Sequence, residues 1–138
     1  MANVTIKEAL ELGIAAHKSG DLKTAAKYYN AILSKHTDNA DANHNLGVLL
    51  TGASNHELAI KHFKKAISKN PNIEQYWMSV IMAALKASDM EQARELLFEA
   101  QSFHPGSVKL LDLQREISKR EKGSAQSEDI INLIKDYK

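Results

Sequence analysis

Apolar residues along the chain recur every three or four positions, in stretches of about a dozen, each broken by a short polar turn. That period marks amphipathic helices. Val, Ile and Thr do not gather into the alternating runs of strands, and Ala, Leu, Lys and Glu dominate, which favours helix. The pattern predicts helices at roughly 5–18, 22–35, 41–52, 56–69, 73–86 and 90–102. A seventh is expected at about 107–121, with Leu110, Leu113 and Ile117 on one stripe and charges opposite. Thr5-x-x-Glu8 has the form of a capping box, and Asp21, Asn55, Asn72 and Asp89 stand where N-caps are needed. Lys122-Gly123-Ser124-Ala125-Gln126 reads as a linker, with Ser127 capping a last helix that carries Ile130, Ile131, Leu133 and Ile134. That apolar pattern is still running at Lys138, which suggests a piece of a longer protein.

The helices repeat in pairs. Leu12-Gly13 aligns with Leu46-Gly47 at a shift of 34 residues, and another 34 reaches Val80-Ile81. The same shift aligns Ala25, Ala59 and Ala93, then Tyr29, Phe63 and Leu97. Pro71 and Pro105 are also 34 apart, with Thr37 at the equivalent place in the first unit. These residues resemble the tetratricopeptide repeat family, whose signature runs Trp-x2-Leu-Gly-x2-Tyr, Ala-x3-Phe, then Pro. The resemblance covers about residues 6–107. The chain departs from it at Ala9 and Asn43 (in place of Trp), at Ile81 (in place of Gly) and at Thr37 (in place of Pro). It implies an all-α fold, a right-handed superhelical solenoid of three antiparallel helix hairpins. The units would be 6–39, 40–73 and 74–107, followed by a C-terminal capping helix at 108–122 and then the linker and start of a further helix at 123–138. Leu12, Leu46 and Val80 are expected to meet Ala25, Ala59 and Ala93 between paired helices, with Gly13 and Gly47 allowing close approach. Ile81 should crowd that contact, with Ala84 making room.

Composition narrows function mainly by exclusion. The 138 residues include 18 Lys+Arg against 17 Asp+Glu, a net charge of +1 that offers no reason to expect nucleic acid or anionic membrane. With no cysteine there is no thiolate metal site and no Cys nucleophile. No apolar run is long enough to span a membrane. A soluble, cytoplasmic protein is the expectation. The six histidines lack metal-site spacing, and no phosphate loop, nucleophile elbow or paired acid and base is present. No metal, no cofactor and no catalytic activity are therefore expected.

Two charge stripes stand out: Lys61, Lys65 and Lys69 on the fourth helix and Glu91, Glu95 and Glu99 on the sixth. The repeat shift sets Lys61 against Glu95 and Lys65 against Glu99, so weak pairs between repeats are expected along the outer surface.

In the fold that the resemblance implies, the first helix of each unit lines a concave surface. Its expected exposed residues include Lys7, Leu10, Glu11, Ile14, His17 and Lys18, then Asp41, His44, Asn45, Val48 and Thr51, then Gln75, Met78, Ser79, Met82 and Leu85. Leu10, Ile14, Val48, Met78, Met82 and Leu85 would form an apolar band, with a polar patch at His44, Asn45 and Ser79. Such a band suggests a binding surface, and methionines suit adaptable packing on a peptide or helix. Relatives that clamp the C-terminal carboxylate of a chaperone tail use Lys and Asn, Asn, then Lys and Arg on the three inner helices. Here Leu10 and Ile14, Asn45, then Gln75 and Ser79 occupy those places. Asn45 alone matches, so no such tail is expected to bind.

The resulting expectation is a noncatalytic module that binds a partner protein or peptide in the groove. The alternative is an accessory domain of a larger glycosyltransferase, methyltransferase or sulfotransferase. Self-association through the groove is a third reading.

Overall fold

A computed structural model describes the backbone at residues 3–135, and side chains at 3–123 and at Asn132. Seven helices account for the described chain, with no strand among the described residues. They are α1 (Ile6–Lys18), α2 (Leu22–Lys35), α3 (Ala40–Gly52), α4 (His56–Lys69), α5 (Glu74–Lys86), α6 (Met90–Phe103) and α7 (Val108–Lys135). Each helix packs on its chain neighbours, and the odd-numbered helices α1, α3 and α5 also meet in sequence, as expected for stacked hairpins.

Local chemistry sets the helix starts. Thr5 accepts a hydrogen bond from the Glu8 amide, Asp21 from Thr24, Asn39 from Ala42 and Asp89 from Gln92. These satisfy amides that the first turn leaves without a helical partner. Two sequence expectations fail here. Asn55 makes no side-chain cap bond, and α5 starts after Ile73 rather than Asn72.

The turn inside each hairpin uses one backbone device. Gly20, Ser54 and Ser88 occupy the same place 34 residues apart, with φ of 86°, 62° and 59°. Only glycine adopts this left-handed conformation without steric cost. Ser54→Gly and Ser88→Gly are each expected to stabilise the chain by ~0.5–1 kcal/mol, the relief of strain exceeding the extra entropy of the unfolded glycine. Urea unfolding followed by circular dichroism checks this.

The core is nearly continuous from α4 to α7 and includes Phe63, Trp77, Val80, Ile81, Leu97, Leu110 and Ile117. The hairpin contact differs from its expected form. Leu12 is 44% exposed, whereas Leu46 and Val80 are buried. The close approach is instead between glycine and an aromatic ring. A Cβ on Gly13 would lie 2.6 Å from Tyr29 Cε1, and one on Gly47 would lie 2.5 Å from Phe63 Cε1. In the third hairpin Ile81 fills the glycine place and is fully buried, while the smaller Leu97 stands where the ring would be. The volume has moved from one helix to the other.

A second exchange joins the repeats. Trp77 Nε1 donates to the Pro71 carbonyl at 2.8 Å. Thirty-four residues earlier, Asn43 Nδ2 donates to the Thr37 carbonyl at 3.1 Å and to the Asn39 carbonyl at 3.0 Å. Asn43 is fully buried, and its Oδ1 accepts from His62 Nδ1 at 2.9 Å. Asparagine thus replaces the indole N–H as the strap that holds the preceding turn.

The C-terminal segment corrects the sequence reading. No linker interrupts the chain at 123–126, because the backbone of α7 stays helical through Lys135. Glu121 and Lys122 before Gly123 and Ala125 and Gln126 shortly after it favour helix, and no proline follows, so the cost of one glycine, about 1 kcal/mol, does not end the helix. Leu110, Leu113 and Ile117 are buried against the α5–α6 hairpin as expected. The side chains of Ser127, Ile130, Ile131, Leu133 and Ile134 lie outside the described residues.

Candidate functional site

The surface lined by α1, α3 and α5 contains an open groove of about 520 Å³. Its walls are Val48 and Thr51 from α3 and Gln75, Met78, Ser79 and Met82 from α5, and the lining also takes in His17 of α1 and Lys86 of α5. Phe63 reaches its floor from α4, through the space that Gly47 leaves open. Val48 and Met82 are 38% and 37% exposed, a large fraction for apolar side chains on a concave face. Met78 and Ser79 are half-buried.

The expected site residues therefore divide. Val48, Met78, Ser79 and Met82 come together at the groove. Ile14 is exposed on α1 but outside the lining, and Leu10 is half-buried against the first-hairpin core. Asn45 is half-buried and also outside the lining. Leu85 is a correction. It is only 3% exposed and joins the cluster containing Leu110, Leu113 and Ile117, so it packs in the core rather than facing the groove. His44 is a second correction, since it is 7% exposed and lies beneath the surface. Lys86 escapes the sequence reading, although it follows Met82 by one helical turn and that spacing would have found it.

His44 acts as a bridge between repeats. Its ring lies 4.8 Å from that of Tyr76 and 5.4 Å from that of Phe63. Its Nε2 shares a 2.9 Å hydrogen bond with Ser79 Oγ. Beside it, the Tyr76 hydroxyl donates to Asp41 Oδ1 at 3.1 Å. Burial, and then the Asp41 charge and that bond, push the Tyr76 hydroxyl up to about 12, so it stays a donor. The α3–α5 joint thus pairs the buried His44 and Tyr76 with the half-buried Ser79 and the exposed Asp41.

Burial lowers the His44 pKa, against smaller opposing effects of an Asn45 hydrogen bond and the Asp41 charge. Burial, and then Lys65, also lower that of His62. Both groups resist protonation more in the folded chain than in the unfolded one, so around and below their ordinary value of 6.5 the unfolded state binds more protons. Stability is full above that value and falls as pH drops through it towards the lower folded pKa. Melting temperature should decline from pH 7 to 5.5, with His44→Gln removing part of the slope. Asp21, Asp38 and Asp89 are lowered by hydrogen bonds, so their contribution is lost only at more acid pH, below 3.8.

Among the described residues no group of His, Cys, Asp or Glu is arranged to hold a metal, and no described helix is long and apolar enough to cross a membrane.

Stacked antiparallel hairpins with an open inner face define a helical-repeat protein of the kind that presents a surface to other proteins. The particular family follows from the repeat itself. The tetratricopeptide repeat model matches residues 10–72 and, in overlapping register, 46–108. The chain belongs to the tetratricopeptide repeat family. No curated protein sequence matches it. Among solved structures, the Hsp90 co-chaperone Cns1 from Saccharomyces cerevisiae has a TM-score of 0.82 at 17% identity, covering 92% of this chain and 42% of that one. The first repeat domain of Spaghetti (RPAP3), bound to an HSP90 peptide, has a TM-score of 0.72 at 17% identity, with 86% and 99% covered. An O-GlcNAc transferase from Thermobaculum terrenum has a TM-score of 0.66 at 25% identity, with 77% and 21% covered, so the chain spans about a fifth of that enzyme.

Proposed function

We propose that the chain is a noncatalytic protein-interaction module whose concave groove captures a partner peptide or helix. The exposed Val48 and Met82, lining the groove from α3 and α5 over a Phe63 floor, support this reading most strongly. An apolar strip of the partner would bury these side chains, while Thr51, Gln75 and Ser79 supply hydrogen bonds that orient it. One structural neighbour is the Hsp90 co-chaperone Cns1, and the Spaghetti domain holds an HSP90 peptide. That ligand is not carried over to this chain. Leu10, Ile14, Gln75 and Ser79 leave no cationic clamp at the places where such relatives bind a tail carboxylate.

Val48→Glu with Met82→Glu is the test. Both side chains are more than a third exposed, so the fold should survive. Each charge would be buried unpaired against the partner, and partner affinity should fall at least about a hundredfold. Enrichment from source-cell lysate, quantified by mass spectrometry, compares the variant with the native chain. Equal recovery of the same proteins by both would sink groove capture.

A further inference from the structure

The outer surface carries a charge pattern that the chain itself does not use. On α4 the buried residues centre on Phe63, which leaves Lys61 and Lys65 on the opposite, outward side. On α6 the buried residues centre on Leu97, which leaves Glu95 and Glu99 outward in the same way. All four are exposed, and no ion pair joins any of them to another described residue. The expected pairs between adjacent repeats are absent. Instead Lys69 reaches back to Asp38 at 3.0 Å. Lys64 flanks the groove between α4 and α6 opposite Glu95 and Glu99, and it forms no ion pair either.

We propose that this face pairs with a second copy of the chain. α4 and α6 are equivalent helices, so the repeat shift places Lys61 level with Glu95 and Lys65 level with Glu99. Consider a two-fold axis parallel to these helices and midway between them. It turns the outer faces of two copies toward each other and exchanges the two helices. α4 of each copy then meets α6 of the other. Lys61 faces Glu95 of the second copy and Lys65 faces Glu99 of the second copy, each contact occurring twice. The patch is self-complementary, as a two-fold interface requires. A net charge of +1 offers little overall repulsion to oppose this approach. The contact is electrostatic and exposed, so the dimer is weak and sensitive to salt.

The experiment is sedimentation equilibrium of the full chain across a concentration series at ~20 mM and ~500 mM salt, conditions that change the screening length severalfold. A dimer is expected at low salt, with its dissociation constant at least about tenfold higher at high salt. The pair Lys61→Glu, Lys65→Glu and the pair Glu95→Lys, Glu99→Lys should each be monomeric alone. Mixed together they should form a heterodimer, because at these four positions one copy then presents only acids and the other only bases. Circular dichroism confirms that each variant is folded. A native chain that stays monomeric at low salt overturns the proposal, as do variants that dimerise like the native chain. Dimerisation lost in Val48→Glu, Met82→Glu would place self-association in the concave groove and overturn it too.

Discussion

Trp77→Ala is expected to lower unfolding free energy by about 3–5 kcal/mol. Trp77 is 2% exposed, stacks on Phe103 with ring centroids 5.5 Å apart, and donates its indole N–H to the Pro71 carbonyl. Removing it opens a cavity among Val80, Ile81 and the α6 residues of the same cluster, and it frees the turn that joins the second hairpin to the third. A loss of this size is a large share of the roughly 5–15 kcal/mol that holds a typical domain folded. Trp77→Phe keeps most of the volume and loses the hydrogen bond, so it should cost distinctly less. The chain has a single tryptophan, so unfolding is followed by far-ultraviolet circular dichroism rather than fluorescence. Equal losses for the two variants would show that the hydrogen bond, not the packing, carries the effect.

Gly47→Ala should be the next most damaging change, at about 1–3 kcal/mol. The new methyl would sit 2.5–2.9 Å from three atoms of the Phe63 ring, and that ring is itself only 1% exposed, so it has little room to yield. The third hairpin shows the remedy, with Ile81 and Leu97 in place of glycine and ring. Phe63→Leu alone would leave a void. Combined with Gly47→Ala, it should cost less than the sum of the two single changes. A double-mutant cycle by urea unfolding measures this coupling. Strict additivity would mean that the glycine and the ring do not compete for the same space.

The array is legible in the sequence because helical period, turn residues and the 34-residue repeat all agree locally. Both ends of each of the helices α1 to α6 fall within one residue of their expected positions. Local signals mislead at three kinds of place. Gly123-Ser124 reads as a break, yet a helix continues past one glycine when its neighbours favour it. Leu12 and Leu85 look alike in sequence to residues with the opposite exposure, because burial depends on which neighbouring helix covers them. His44 carries a polar label, yet two rings and Ser79 enclose it. In sequence Asn43 is only a departure from the family pattern, whereas in the fold it performs by hydrogen bonding what Trp77 does in the next repeat. The roles of His44 and Asn43 are not visible one residue at a time, since each depends on a partner 19 or 35 residues away. Of the candidate site, the α3 and α5 positions at Val48, Met78, Ser79 and Met82 follow from helical spacing. The floor at Phe63 does not, because it belongs to a different helix and shows only where Gly47 lacks a side chain.

The most direct measurement places a photo-crosslinking residue at Met82 in one version of the chain and at Lys27, exposed on α2, in another. Both are irradiated in source-cell lysate, and the adducts are read by mass spectrometry. Groove capture predicts a discrete adduct with another protein from position 82 and none from position 27. Adducts only from position 27, or the same set from both positions, would contradict it.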